Sequence, residues 1–172
     1  MPNIDLTTLF ADPQWEGLVR ILLACGLSAL IGLEREIEGK PAGVRTYGLV
    51  GMGAAIFTVA GIYAFGEGDP ASRVAAQIVT GIGFLGAGTI LHMRRRVVGL
   101  AAAAGLWVAA ALGMAIGGGL YILGIGAALA MFLLLQFLRP EVLVRFGLAS
   151  PEDVEGSVTE DEPNDDRDRD SD

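Results

Sequence analysis

Five apolar runs, each close to the length of a membrane crossing, dominate this chain and constrain what it can fold into. A helix needs about 20 mainly apolar residues to cross a hydrocarbon core of about 30 Å. None of the five runs has a charge in its middle third, and the separators are too short to be domains. We therefore predict an all-α membrane protein, a five-helix transmembrane bundle with spans at residues 18–33, 47–65, 74–93, 97–116 and 120–138.

The charge of the chain is concentrated at its end. Of the 20 acidic residues behind the net charge of −8, eleven lie in residues 151–172, beside only two arginines. A segment this charged and this poor in apolar residues cannot form a packed core. We expect a disordered acidic tail over residues 149–172, preceded by a transmembrane domain over 18–148 and an N-terminal extracytoplasmic or interfacial segment over 1–17.

The basic residues orient the predicted spans. Lys and Arg near span ends are retained on the cytoplasmic side. Five spans leave only Arg20 and Arg73 on one side, so we expect the N-terminus outside and the C-terminus in the cytoplasm. The other side receives Arg35, Lys40, Arg45, Arg94, Arg95, Arg96, Arg139 and Arg145.

Small residues recur every four positions within the spans. Such rows let helix backbones approach closely in lipid, where no hydrophobic force drives association. They predict a tight bundle, and a homodimer face is the alternative use of the same chemistry. The rows are Ala24, Ser28 and Gly32 in the first span, Gly48, Gly51 and Ala55 in the second, and Ala101, Gly105, Ala109, Gly113 and Gly117 in the fourth.

Several stretches imitate ligand-binding motifs, but they lack the neighbouring residues that such sites require. Residues 81–86, GIGFLG, match the dinucleotide fingerprint, but they lie inside a span with no preceding strand. In the tail, Asp166, Asp168 and Asp170 imitate a calcium loop that the chain ends too early to complete. His92 stands beside three arginines without a carboxylate or thiol to share a metal. We expect no cofactor, no metal site, no nucleic-acid partner and no enzymatic activity, since no nucleophile and base can be paired.

Charged and polar residues cluster at the span ends. A charge at the hydrocarbon boundary is costly when unpaired, so we expect Glu34 to pair with Arg35 or Arg45. Asp69, followed by Pro70, is suited to capping the third helix. Further along that helix, Gln77 and Thr80 could face the bundle and form a small polar pocket near the outer side. Whether these residues fix the structure or form a functional site is left open by the sequence.

Three blocks stand out within residues 18–138: GLERE..GKPAGVRT, DPASRVAAQIVTGIGFLGAGTI and V.GLAAAAGLW.AAALG. Together they resemble the MgtC/SapB family of bacterial inner-membrane proteins. The resemblance implies a multi-pass protein of the bacterial plasma membrane, here a short form without a folded C-terminal domain. It also implies a link to growth in low magnesium and to stress adaptation through other membrane proteins such as ATP synthase.

The resemblance also selects candidate residues, and it has limits. Ala101, Ala102 and Gly105 stand where the family usually has polar residues, and Val108 stands where the virulence-associated branch has cysteine, so roles of those side chains do not transfer. The matching polar positions, our predicted functional network, are Glu34, Arg35, Arg45, Thr46, Asp69, Arg73 and Gln77. The predicted helix-packing residues are Gly81, Gly83, Gly86, Gly88, Gly105, Gly113 and Trp107.

The sequence is compatible with two candidate functions. The first is a non-enzymatic membrane protein that binds and modulates other membrane proteins, which the uncharged span interiors favour. The alternative is a transporter or channel for magnesium or another cation, which requires oxygen ligands or broken helices along a path. Besides the lipid bilayer, the expected partners are other membrane proteins, with ATP synthase as the example that the resemblance implies, or a second copy of the chain.

Overall fold

The computed structural model of this chain describes residues 13–65, 69–93 and 96–137. Within these ranges the backbone forms five helices and one short hairpin between the third and fourth helices. The predicted acidic tail and most of the predicted N-terminal segment lie outside the described residues. The elements are α1 (Pro13–Ile37), α2 (Val44–Phe65), α3 (Asp69–Gly88), β1 (Leu91–Met93), β2 (Arg96–Val98), α4 (Leu100–Gly117) and α5 (Tyr121–Phe137).

The helices run alternately up and down and form one bundle. The centre is made by α1, α2 and α4, which all pack against one another. At the edges, α3 packs mainly on α2 and α4, and α5 mainly on α4. The all-α membrane bundle predicted from the sequence is confirmed in the described ranges, whereas the orientation of the termini stays a prediction.

The two ends of the bundle are named here by one residue each. The Tyr47 end contains the α1–α2 loop, the hairpin and the start of α4. The Arg20 end contains the starts of α1 and α3 and the α4–α5 turn. A helix of about 20 residues rises about 30 Å, so residues at different ends are separated by roughly the thickness of a membrane core.

Glycines end α1 and α4 in the same way. Gly39 has φ 68° and Gly119 has φ 81°, left-handed values that favour glycine because it has no Cβ. At Gly119 the next amide, Leu120 N–H, bonds Ala115 C=O at 2.8 Å, while Gly119 N–H bonds Ile116 C=O at 3.0 Å. These bonds satisfy carbonyls that a helix end otherwise leaves without partners, and both chain reversals are therefore tight.

The structure corrects the predicted bounds of the third and fourth spans. The predicted third span ran to residue 93, but α3 ends at Gly88, and Leu91–Met93 is a strand paired antiparallel with β2. The apolar run simply continues through the strand, and apolar character alone does not distinguish the two conformations. After the hairpin, Gly99 with φ 94° begins the turn into α4. A Cβ added at this position would overlap the carbonyl of Thr89.

Three of the helices are long and apolar enough, by length and composition, to cross a membrane by themselves. Among the described residues they are Gln14–Ile37, Val44–Ala64 and Leu100–Gly117. The apolar helix α5 has 17 residues in the described range. In contrast, α3 has 20 residues but does not meet the same standard of apolarity, because it carries polar residues such as Arg73 and Gln77.

Small residues set the distance between the central helices. Ser28 of α1 is fully buried, and its side chain lies directly against Gly51 of α2. On the opposite side of Gly51, its carbonyl lies against Gly113 of α4. The three backbones therefore meet at one level, with no space for a larger side chain between them.

Candidate functional site

The structure divides the seven predicted polar residues between the two ends of the bundle. Glu34, Arg35, Arg45 and Thr46 lie at the Tyr47 end, whereas α3 begins with Asp69 at the Arg20 end and continues through Arg73 and Gln77. Because α2 spans 22 residues between the groups, they do not form one network. The predicted orientation already put Arg73 on the opposite side from Arg35 and Arg45, but the match to family blocks led the sequence analysis to group all seven as one network.

The first group contains two buried charges. Glu34 and Arg35, in the last turns of α1, are each 7% exposed, while Arg45 and Thr46 are exposed. Arg35 forms an ion pair with Glu38, with 3.4 Å between Nη1 and Oε2. Charges held away from water are stable only when neighbouring groups compensate them. This end of α1 is therefore a charged site inside the bundle.

Tyr47 completes this site, and the sequence analysis did not single it out. It is fully buried, and its hydroxyl lies close enough to Arg35 and Glu34 to interact electrostatically with both side chains. The hydroxyl tip rests against Gly105 of α4, where an added Cβ would overlap it. Neither the Tyr47 hydroxyl nor Arg35 Nε makes a hydrogen bond of regular geometry with the described residues. We call Glu34, Arg35 and Tyr47 the Tyr47 cluster.

A second residue missed by the sequence analysis, Glu36, links the loop to α2. Its Oε2 accepts a hydrogen bond from the N–H of Val44 at 2.8 Å, which satisfies an otherwise orphan donor in the first turn of α2. Gly43 fits against the same carboxylate. No sequence signal pointed to this contact, because the capping residue precedes the helix by eight positions instead of one.

At the opposite end, Arg20 joins α1 to the α4–α5 turn. Its Nη1 donates to the carbonyl of Gly117 at 3.1 Å, and its Nε donates to the hydroxyl of Tyr121 at 3.2 Å. It also pairs with Glu16 one turn earlier, and Gly119 packs against its guanidinium. The sequence analysis used Arg20 only as a marker of the outer side, and its partners, about 100 residues away, carry no sequence signal.

The predicted polar pocket of Gln77 and Thr80 is not found. Both residues are exposed on the outside of α3, and the Thr80 hydroxyl donates to the carbonyl of Ala76 in its own helix at 3.0 Å. Arg73 is exposed on the same side. The bundle instead receives Ile78 and Ile82, so the polar side of α3 faces outward.

The predicted packing residues differ in their surroundings. Gly86, Gly105 and Gly113 lie close to neighbouring helices, and an added Cβ at Gly113 would be 2.9 Å from the Cβ of Ala54. An added Cβ at Gly81, Gly83 or Gly88 would meet nothing within 4 Å in the described chain. Gly81 borders an open cleft beside α2, and close packing of these three glycines against another helix is not found among the described residues.

Two apolar clefts flank α3. One, of about 410 Å³, lies between α2 and α3 and is lined by residues that include Gly53, Phe57 and Gly81. The other, of about 290 Å³, lies between α3 and α4 and includes Trp107, which is 51% exposed. Among the described residues, no group of three His, Cys, Asp or Glu side chains could hold a metal ion. Both of these clefts are lined mainly by apolar residues and are open at the surface.

Known proteins resemble this chain over most of its described length. YhiD of Escherichia coli strain K12, provisionally named a magnesium transporter, is 45% identical over 128 residues, covering 70% of this chain and 60% of YhiD. Protein SrpB of Synechococcus elongatus is 44% identical over 141 residues, covering 73% of this chain and 78% of SrpB. Protein MgtC of Brucella abortus is 46% identical over 118 residues, covering 69% of this chain and 49% of that MgtC.

The chain thus spans about three fifths of YhiD and half of the Brucella protein. No solved structure matches it. The profile of the MgtC family matches residues 21–142, a range that contains the Tyr47 cluster, all of α2, α3 and α4, and the hairpin. From this match and these relatives, the chain is a membrane protein that belongs to the MgtC family.

Proposed function

We propose that this protein is a non-enzymatic regulator that binds and modulates other membrane proteins of a bacterium during magnesium limitation or stress. Membership of the MgtC family and the magnesium-related name of YhiD support the link to magnesium. ATP synthase is the partner implied by the family resemblance, and it is the first target to test.

One observation carries this proposal. The contact between α1, α2 and α4 is closed by backbone and small side chains, because Ser28, Gly51 and Gly113 leave no space between them. The open clefts lie beside α3, on the outer surface of the bundle. Such a shape offers surfaces to other proteins in the membrane and no polar route along the centre of the described helices.

The alternative is a transporter or channel for magnesium or another cation. The buried carboxylate of Glu34 and the name of YhiD favour it. A cation site requires oxygen ligands around the ion, and Glu34 could supply one at the Tyr47 end. Transport and regulation lead to different results in purified membranes.

Two measurements separate these functions. In liposomes that contain the purified chain and a magnesium-sensitive dye, we expect magnesium entry equal to that of empty liposomes. In inverted bacterial membrane vesicles, we expect the chain to lower ATP-driven acidification relative to an equal amount of an unrelated multi-pass protein. Magnesium entry that is lost in Glu34→Ala or Asp69→Ala would establish the transporter instead, and unchanged acidification would remove ATP synthase as the target.

We also propose that the chain crosses the bacterial plasma membrane five times, with its N-terminus outside. The basic loop between α1 and α2 supports this orientation through the positive-inside rule. Although α3 is less apolar than its neighbours, it lies beside α2 and α4 and joins opposite ends of the same bundle. It therefore crosses the same thickness as they do.

The orientation predicts a difference in labelling of intact cells. Two single-cysteine chains are made in a Cys25→Ala background, one with Lys40→Cys and one with Gln14→Cys, both at exposed positions. A membrane-impermeant maleimide is expected to label position 14 in intact cells and position 40 only after the cells are opened. Labelling of position 40 in intact cells would reverse the proposed orientation.

A further inference from the structure

The outward side of α3 is polar at Gln77 and Thr80, at a depth where a lipid-facing helix should be apolar, and it carries the charge of Arg73 nearer the helix start. Arg73, Gln77, Thr80 and Phe84 are all exposed, and their spacing of four, three and four residues places them on one side of a helix. We call these four residues the outer face of α3. It lies opposite Ile78 and Ile82, which pack into the bundle. Thus the helix that is too polar to qualify as a span presents its polar residues away from its own bundle.

Lipid is an unfavourable environment for this face. Polar side chains within membrane helices are costly in hydrocarbon, and they normally face other protein or a water-filled cavity. Thr80 satisfies its hydroxyl within its own helix. Gln77 lies one turn nearer the Arg20 end, is exposed and has no hydrogen bond to the described side chains, and Arg73 is exposed one further turn along.

The shape beside this face fits an added helix. Gly81, one turn beyond Gln77, has no neighbour within 4 Å and lines the 410 Å³ cleft together with Gly53 of α2. Phe84 is 83% exposed and lies three residues beyond Gly81, on a neighbouring part of the helix surface. A second helix could therefore approach closely at Gly81, place an apolar side chain in the cleft and cover Gln77.

We infer that the outer face of α3 is the docking surface for a transmembrane helix of a different protein, one with a carboxylate facing Arg73 and a hydrogen-bonding side chain facing Gln77. This inference rests on the proposed function, because it identifies the chemistry of the regulated partner. The charge of Arg73 decides against a second copy of the chain. In a parallel two-fold contact of α3 with itself, two Arg73 side chains would meet at the same depth and repel each other.

The test uses defined helices and the full-length chain in liposomes. Three synthetic transmembrane peptides are identical except for one residue at the depth of Arg73, which is Glu, Lys or Leu. Energy transfer between the labelled chain and each labelled peptide measures their association. We expect the Glu peptide to bind about five-fold more tightly than the Leu peptide, the size expected for one polar contact between membrane helices. The Lys peptide is expected to bind no more tightly than the Leu peptide.

Variants of the chain make the test specific. Arg73→Glu should reverse the preference, so that the Lys peptide binds more tightly than the Glu peptide. Gln77→Leu should weaken binding of the Glu peptide, while Gln136→Leu, the same change on α5, should leave it unaltered. Arg73 and Gln77 are exposed and Gln136 is half-buried near the end of α5, so thermal unfolding in detergent should be unchanged in all three variants and should exclude misfolding as the cause.

Equal binding of the three peptides, or an unchanged order with Arg73→Glu, would overturn the inference. Energy transfer between two labelled copies of the chain that disappears in Phe84→Ala would also overturn it, because the face would then be a self-contact. The proposed function fails by a different result. If ATP-driven acidification is unaffected while the Glu peptide binds and the charge reversal holds, the docking surface stands and ATP synthase is not its partner.

Discussion

Gly113→Ala is expected to lower the free energy of unfolding by about 2 kcal/mol, the usual cost of overfilling a packed core. The added methyl group would overlap the carbonyl oxygen of Gly51 and lie 2.9 Å from the Cβ of Ala54. Both obstacles are parts of α2 that cannot rotate away, so α2 and α4 must separate. The change is measured by titrating the purified protein from a mild detergent into a denaturing one and following the loss of helical signal.

Gly83→Ala is the matched control, since it makes the same chemical change in a helix. An added Cβ at Gly83 meets nothing within 4 Å in the described chain, and alanine favours a helix over glycine by about 0.5 to 1 kcal/mol. We expect Gly83→Ala to unfold at the same denaturant concentration as the unaltered protein or at a slightly higher one. Equal losses of stability in the two variants would contradict the close contact of α2 and α4 at Gly51.

Tyr47→Ala is expected to cost about 3 kcal/mol or more, as for other fully buried aromatic side chains. Its ring fills the space between the end of α1 and the start of α4, and Tyr47 is fully buried. Tyr47→Phe should instead stay within about 1 kcal/mol of the unaltered protein, because the buried hydroxyl that it removes lacks a regular hydrogen bond. The same denaturation measurement applies to both variants.

A double substitution tests the contact of Tyr47 with Gly105. Gly105→Ala places a methyl group against the tyrosine hydroxyl and should destabilise the protein by about 2 kcal/mol. In the Tyr47→Phe background the nearest obstacle is absent, so Gly105→Ala should cost about half as much. Residues in contact show such non-additivity, whereas separated residues do not. Strict additivity would mean that the two residues do not touch.

These predictions concern contacts that the sequence did not reveal, although it anticipated the elements that make them. The apolar runs predicted five helices, and the described ranges contain five. Gly39 and Gly119, which end α1 and α4, lie in the separators, where chain reversals were expected. Their effect is local, because a left-handed residue and two backbone bonds are enough to end a helix.

The candidate site was only partly accessible to sequence reasoning. Glu34 and Arg35 were selected because they are charges at the boundary of an apolar run, and the structure buries both. Tyr47 was passed over because a tyrosine near the end of a span is unremarkable by its type. Its importance comes from Gly105, 58 positions later, which leaves space for its hydroxyl. Arg20 depends in the same way on Gly117 and Tyr121.

The glycines show most clearly where the sequence stops being informative. Gly113 and Gly83 have the same chemistry and both stand in helices of small and apolar residues, yet one is closed in by α2 and the other meets no neighbour. In a water-soluble helix, polarity would separate the inner side from the outer one. In lipid both sides are apolar, so the sequence does not mark which side faces protein.

The sequence by itself therefore determined the class of the protein, the number of its helices, the places where the chain reverses and its membership of the MgtC family. Length, apolarity and glycine placement act within one stretch of chain, and they can be read directly. Only the tertiary structure decided that Tyr47 completes a buried charged site, that Arg20 joins α1 to the α4–α5 turn and that the polar side of α3 faces outward. Each of these depends on how one helix is rotated against another, which distant residues determine together.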